Sequence, residues 1–244
     1  MNRSNKCGLF ASPMQTSMLL PSLLGHESQP YVQQFRWTFL ETVNQDLLER
    51  AWKRVLKRHD TFYHSFEFGK GDRLRIQKSG KLQVEFKFLD WSHLPRTKRH
   101  SQLTSYLNQD LSRGFDPLKG NLSRIQLIRI HSRRSELVWT THHALFDGRA
   151  RLKLIQEFIE VYKALKEGKS IRLKQCPSYE EYLKWAEKQS WKSSITFWKK
   201  QLEDLKESTA LNFGMGFQGS KPSGNQQSLK SRYLSSKLST RLSN

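Results

Sequence analysis

The change of periodicity between residues 137 and 149 constrains the fold more than any other feature of the sequence. Residues 137–141 are apolar, aromatic or β-branched and favour a strand, and from about Gly148 the apolar residues recur at the spacing of a helix. Between the two lies the segment His142-His143-Ala144-Leu145-Phe146-Asp147-Gly148. Side chains at the exit of a strand into a helix face clefts, so we take this segment as the candidate functional site.

The chemistry of this segment starts from its histidines. A histidine can act as a general base at physiological pH, because an unperturbed pKa of about 6.5 leaves much of it neutral. Asp147 could orient that histidine or hold the loop. Gly148 could permit a backbone conformation barred to other residues, or the close approach of a substrate.

The same residues allow two other interpretations. One is a metal site, and the other is a structural pair of histidines with Asp147 capping a helix start. Adjacent histidines in a strand point to opposite faces, which argues against both binding one metal ion.

The length and composition indicate a globular chain. With 244 residues, including seven Trp and 14 Phe, it can bury a sizeable core as one large domain or one and a half. No apolar run approaches the roughly 20 residues of a membrane span, and the N-terminal residues lack the features of a signal peptide. A cytoplasmic location is therefore expected. The cysteines, Cys7 and Cys176, match no metal spacing and are expected to stay reduced.

The net charge of +20 is typical of proteins that bind an acidic partner, such as a nucleic acid, an anionic membrane or an acidic protein. The basic residues are nevertheless dispersed over predicted helix faces, and no nucleic-acid-binding signature accompanies them. A solvated basic surface is the preferred interpretation, with no specific nucleic acid as partner.

Hydrophobic periodicity and turn residues predict a chain of mixed helices and strands. A Ser-Pro helix start stands at Ser12-Pro13, Asn44 can cap a helix, and the segment 208–228 has the composition of a linker. The remaining predicted helices lie at about 45–58, 96–113, 148–167, 179–185 and 195–202, and strands at 31–40, 58–68, 73–78, 82–89, 122–130 and 135–142.

Several stretches together resemble the condensation domains of non-ribosomal peptide synthetases, in the superfamily that includes chloramphenicol acetyltransferase. The segment from His142 to Gly148 resembles the HHxxxDG signature of that family, Ser12-Pro13-Met14-Gln15 resembles its opening motif, and Arg58-His59-Asp60 resembles the start of its motif RHExLRTxF. Three further stretches follow in family order, at 115–118, 179–185 and 197–202. The sequence departs from the family pattern at Tyr63, His64 and Arg149-Ala150.

The resemblance implies an α/β sandwich lobe of the chloramphenicol acetyltransferase type, with a mixed sheet flanked by helices. Two such lobes form a V with a tunnel between them. The expected organisation is an N-terminal condensation lobe over 1–175, a helical connection over 176–207, and a linker with the start of a second lobe over 208–244. The second lobe would be supplied in cis or in trans.

The resemblance also implies a function and residue roles. The activity would be amide-bond formation between a carrier-protein-bound acyl or peptidyl thioester and an aminoacyl acceptor. His143 would be the catalytic histidine, His142 a supporting residue, Asp147 a structural residue salt-bridged to Arg58, and Gly148 a neighbour of the oxyanion. No metal or cofactor of its own is required, since phosphopantetheine thioesters on carrier proteins are the substrates.

Two alternatives remain beside this function. One is a stand-alone acyltransferase that uses acyl-coenzyme A and completes its site in a trimer, as chloramphenicol acetyltransferase does. The other is an inactive fragment that binds carrier proteins, whose commonly acidic surfaces would be attracted by the basic chain.

Overall fold

The computed structural model of the chain describes residues 8–25, 29–69 and 73–205. The chain divides into two compact units, one up to Ile195 and one from Thr196, and of the second only residues 196–205 are described. The elements in chain order are α1 (Pro13–Leu23), β1 (Val32–Phe39), α2 (Gln45–Leu56), β2 (His64–Phe68), β3 (Leu74–Lys78), β4 (Glu85–Asp90), α3 (Arg96–Arg113), β5 (Ser123–His131), β6 (Arg134–His142), α4 (Gly148–Lys166), α5 (Tyr179–Glu187) and α6 (Trp191–Gln201).

A mixed four-stranded sheet with the order β1-β6-β5-β4 forms the centre of the first unit. The central strand β6 pairs antiparallel with β1 and β5, and β4 pairs parallel with β5. Trp139 of β6 lies opposite Phe35 on one side and Ile125 on the other. Strands β2 and β3 form a separate antiparallel pair.

Helices cover both faces of this sheet. On one face, apolar residues of α2 and α4 join Trp139 and its neighbours in the main core, where the ring of Trp52 lies 4.3 Å from that of Phe158 and 5.0 Å from that of Trp139. On the other face, Leu103 of α3 packs with Val138 in a smaller cluster. Because both faces are buried, β5 and β6 show no clean alternation of apolar and polar residues.

A buried ion pair lies on the face of the sheet that α3 covers. Arg124 of β5 is 2% exposed and Asp110 of α3 is 6% exposed. Arg124 Nε donates to Asp110 Oδ1 at 3.0 Å, and the same oxygen accepts from Gln126 at 2.8 Å. Asp110 Oδ2 accepts from Gln34 at 3.0 Å and from Thr140. Arg124 also donates to the backbone carbonyls of Gly114 and Asp110. The carboxylate thus has donors and the guanidinium has acceptors, which makes the burial of both charges tolerable.

The predicted elements are confirmed with one local exception. Residues 58–68 do not form one strand, because Asp60–Tyr63 is a 3₁₀ turn and only His64–Phe68 pairs with β3. Asp60 explains the turn, since its side chain accepts hydrogen bonds from Ser178 and from the backbone of Glu180 and so holds this segment against the start of α5.

Several expectations fall outside what the structure describes. The linker at 208–228 and the start of a second lobe lie beyond residue 205, and the boundaries near 175 and 207 stay predictions. Among the helices of the described residues, none is both long and apolar enough to cross a membrane. The cytoplasmic location likewise stays a prediction.

Candidate active site

The two histidines lie where the central strand ends. His142 is the last residue of β6, and His143 opens a 3₁₀ turn that leads to α4. The backbone N–H of His142 donates to Leu122 at 2.9 Å, and that of His143 donates to Tyr31 at 2.8 Å. The strand exit is therefore fixed on both sides by neighbouring backbone, so the direction of each ring is set by the sheet.

His142 is fully buried and faces the protein interior. Its Nδ1 accepts a hydrogen bond from the backbone of Ala144 at 3.1 Å, and its Nε2 lies 3.2 Å from Ser22 Oγ. Because Nδ1 accepts, the proton of the neutral ring is on Nε2 and is donated to Ser22. Burial, with a further effect of His143, lowers the pKa of His142 to about 4. The ring is thus a neutral anchor between α1 and the turn.

His143 is partly exposed and faces a pocket. Its Nδ1 lies 2.9 Å from the carbonyl oxygen of Phe146. A carbonyl can only accept, so Nδ1 carries the proton and the lone pair of the neutral ring is on Nε2. This tautomer is the one that a general base or a hydrogen-bond acceptor for an attacking group requires.

Asp147 is the N-cap of α4, where its Oδ1 accepts from the backbone of Ala150 at 2.8 Å. The capping role left open by the sequence is therefore present beside any role in the site. Gly148 does not adopt a left-handed conformation, so the backbone explanation for this glycine is wrong. A Cβ at this position would meet no atom of the described chain within 4 Å, which leaves access for a substrate as the remaining explanation.

Arg58 forms a salt bridge with Glu157 and not with Asp147, so the predicted partner is wrong. Its guanidinium lies 3.8 Å from Glu157 of α4 and donates to the carbonyl of Lys174. No ion pair between Arg58 and Asp147 occurs among the described residues. Glu157 is buried on the face of α4 that packs against α2, where Arg58 follows, whereas Asp147 lies at the start of α4, more than two turns away along the helix.

A pocket of about 520 Å³ gathers the motifs that are scattered along the sequence. Its wall contains residues of α1, of the 3₁₀ turn at Asp60–Tyr63, of the His143 turn and of the start of α5, and it is mainly apolar. A pocket of this size and character is typical of small-molecule sites. The side chains in its wall include Met14, Gln15, Met18, His59, Asp60, Phe62, His143, Phe146, Asp147, Lys153, Leu154, Tyr179 and Tyr182.

Gln15 of α1 supports this pocket, a role that the sequence pattern did not predict. Gln15 is buried, its Nε2 donates to the carbonyl of Ala144 at 3.0 Å, and its Oε1 accepts from the backbone of Ser12 at 3.1 Å. The second of these bonds belongs to a capping box, which the spacing Ser-x-x-Gln could have predicted. The contact with Ala144 joins distant parts of the chain and has no local signal.

The departures from the family pattern lie in different environments. His64 is buried on β2, whereas Arg149 is exposed beside the pocket and Ala150 forms part of its wall. Within the described ranges, no group of three or more His, Cys, Asp or Glu side chains is placed to hold a metal ion.

Comparison with known proteins finds relatives that match most of this chain. The chain is 31% identical over 204 residues to bacitracin synthase 1 of Bacillus licheniformis, covering 82% of this chain and 4% of that protein. It is 28% identical over 202 residues to gramicidin S synthase 2 of Brevibacillus brevis, covering 82% of this chain and 4% of that protein. The chain thus spans a small part of these relatives.

The same fold occurs in solved structures. The starter condensation domain of rhizomide synthetase superposes with a TM-score of 0.74 at 18% identity, over 84% of this chain and 47% of that one. The first condensation domain of the calcium-dependent antibiotic synthetase superposes with a TM-score of 0.64 at 15% identity, over 80% and 47%. The predicted lobe, a mixed sheet flanked by helices, is confirmed. Residues 8–242 match the family model of the condensation domain, and the chain belongs to the condensation domain family of non-ribosomal peptide synthetases.

Proposed function

We propose that the pocket at His143 joins an acyl or peptidyl thioester to the amine of an aminoacyl acceptor during non-ribosomal peptide synthesis. The proposal rests on the hydrogen bonding and the position of His143. His143 holds its Nδ1 proton on the carbonyl of Phe146 and lies in the wall of an apolar pocket of about 520 Å³ that three family motifs enclose. The lone pair on Nε2 is then free to meet the acceptor amine.

The reaction requires few protein groups. The amine nitrogen attacks the thioester carbonyl, the C–S bond breaks, and the departing thiolate takes up the proton released by the amine. His143 Nε2 accepts the hydrogen bond of the attacking amine and passes its proton to the leaving thiolate. An amine attacking a thioester gains more from positioning than from a strong base, so holding the two reactants together supplies most of the effect.

The start of α4 completes the site. Asp147 fixes the first turn of the helix through its bond to the backbone of Ala150, and Gly148 presents backbone without a side chain. The positive end of the helix dipole lies at this turn and favours a developing negative charge. Asp147 therefore acts on structure, and Gly148 leaves room for the oxyanion. His142 supports the turn from below through Ser22 and Ala144.

The two thioester substrates would be attached to partner proteins. Both thioesters would be carried by phosphopantetheine arms of carrier proteins, with no cofactor held by the chain itself. The apolar wall suits an acyl group and the arm that carries it. One structural neighbour is described in complex with C8-CoA and Leu-SNAC, an acyl thioester and an aminoacyl thioester analogue. The net charge of +20 favours approach of acidic carrier proteins.

The organisation proposed for the chain is the N-terminal half of a two-lobed domain. Residues 1–175 would form the lobe with the histidine, 176–207 a helical connection, and 208–244 a linker and the start of the second lobe. The second lobe, in cis or in trans, would close the other side of the pocket.

The test is single-turnover amide formation from an octanoyl thioester and a leucyl thioester, measured by mass spectrometry. The chain is assayed alone and with a second condensation lobe fused after its last residue. We expect product with the fusion, loss of product in His143→Ala, and unchanged turnover in the control His93→Ala, which alters an exposed histidine away from the pocket. Undiminished product in His143→Ala would overturn the assignment, and efficient transfer from acyl-coenzyme A by the chain alone would favour the stand-alone acyltransferase.

A further inference from the structure

A second constellation of reactive groups lies behind the wall of the His143 pocket. Cys176, in the segment between α4 and α5, has its Sγ 3.2 Å from His59 Nδ1. The other ring nitrogen, His59 Nε2, lies 3.6 Å from Oε2 of Glu157 on α4. The thiol and the imidazole have the spacing of a nucleophile and its base, and the carboxylate lies near the other ring nitrogen, beyond hydrogen-bond length.

The electrostatics of the three groups fit those roles. Burial lowers the pKa of His59, so the imidazole is neutral and can accept a proton. Burial, followed by the charge of Glu157, raises the pKa of the Cys176 thiol, so this thiol needs a base to become a thiolate. Glu157 is 7% exposed. Within the described chain its Oε2 has no hydrogen-bond partner, and the Arg58 guanidinium also lies 3.8 Å from this oxygen. A buried carboxylate oxygen at this distance stabilises the imidazolium that forms when His59 takes the proton.

The thiol faces a cavity of its own. Cys176 lines a cavity of about 530 Å³ that shares no lining residue with the His143 pocket. Four basic side chains line it: Arg54, Arg58, Arg172 and Lys174. Arg54 and Arg58 hold the backbone of the segment through the carbonyls of Ile171 and Lys174, whereas Lys174 itself is exposed. The charge of this cavity favours an anionic ligand.

We propose that Cys176 is a base-assisted reactive thiol that forms a mixed disulfide with an anionic disulfide bound in this basic cavity. His59 Nδ1 takes the thiol proton, and the Cys176 sulfur attacks one sulfur of the disulfide. A new S–S bond forms as the old one breaks, and the departing thiolate receives the proton from the imidazolium. Cys176 is oxidised and the incoming disulfide is reduced, so no further reactant is needed.

The reaction has a consequence for the neighbouring pocket. In the reduced protein the Cys176 sulfur lies 3.2 Å from His59 Nδ1, and an adduct on sulfur changes that contact. His59 lines the His143 pocket, so modification of Cys176 alters the wall of that pocket from outside.

The experiment compares two disulfides on the full chain, with Cys7→Ser so that Cys176 is the only cysteine. Oxidised glutathione is the anionic probe and 2-hydroxyethyl disulfide the neutral one. Adduct formation is followed by intact mass, and each rate is divided by the rate of the same chain unfolded in urea. This ratio removes the difference in intrinsic reactivity between the two probes.

We expect the ratio for oxidised glutathione to exceed that for the neutral disulfide about tenfold at low salt, as expected for a focused field of one sign. Arg172→Gln with Lys174→Gln should abolish that preference, whereas Arg96→Gln with Lys98→Gln on α3 should keep it. His59→Asn should slow both reactions about tenfold or more, since the base is lost. Cys176→Ser should give no adduct.

Two outcomes would overturn the proposal. One is reaction of folded Cys176 no faster with the anionic than with the neutral disulfide, after division by the unfolded rates. The other is an unchanged rate in His59→Asn. The pair Arg172 and Lys174 keeps the proposal testable even where His59→Asn fails to fold.

Discussion

The pH dependence of the unfolding free energy tests whether folding holds the buried ring of His142 neutral. Burial, together with the neighbouring His143, lowers the pKa of this ring to about 4 in the folded chain. In the unfolded chain the imidazole titrates near its ordinary pKa of about 6.5. Between these values the unfolded chain binds a proton that the folded chain does not. The stability that His142 contributes is therefore complete above about pH 6.5 and is lost as the pH falls towards 4.

The size of the effect follows from the two pKa values. Each tenfold change in proton affinity is worth about 1.4 kcal/mol, so the interval from 6.5 to about 4 is worth about 3 kcal/mol of unfolding free energy. About 2 kcal/mol of this is lost between about pH 7 and about pH 4.5. A loss of that size is a large part of the stability of an ordinary domain.

The assay is urea unfolding followed by tryptophan fluorescence at the two pH values. Other carboxyl and imidazole groups also titrate in this range, so the comparison is between the wild-type chain and His142→Gln. The glutamine amide can still donate to Ser22, but it has no proton to gain. We expect the wild-type chain to lose about 2 kcal/mol more than His142→Gln on acidification.

The matched control is His93→Gln, which replaces an exposed histidine and should keep the wild-type loss. Equal acid losses in the wild-type chain and in His142→Gln would refute the reasoning, because they would show that folding does not hold this ring neutral.

Three further predictions concern the sheet, the cap and the support of the site. Asp110→Ala leaves Arg124 buried without its carboxylate and should cost about 3–5 kcal/mol in urea unfolding, whereas Asp90→Ala, at an exposed ion pair, should cost less than about 1 kcal/mol. Asp147→Ala removes the cap of α4 and should cost about 1 kcal/mol, and Asp147→Asn should restore most of it in the same assay. Gln15→Met removes the donor to the Ala144 carbonyl and should lower kcat for amide formation in the fused enzyme more than it changes KM; an unchanged kcat would contradict this positioning role.

The sequence predicted most elements because their signals are local. The apolar stripe of α2, with its Asn44 cap, and the periodicity of α4 follow from residues within a few positions of each other. The candidate site was found for the same reason, since His142, His143, Asp147 and Gly148 are nearly contiguous. The one wrong strand, at residues 60–63, arose where a contact with distant Ser178 overrode alternating aromatics.

Tertiary structure decided the properties that depend on distant neighbours. The tautomer of His142 depends on Ser22 and Ala144, and the partner of Arg58 is Glu157 because α2 packs on α4. The contact of Cys176 with His59 likewise joins separate segments. Spacing along a chain predicts helices and strands, because their periods are fixed by backbone geometry. Burial, protonation and ion pairing depend on which segments meet, and only the folded chain determines that.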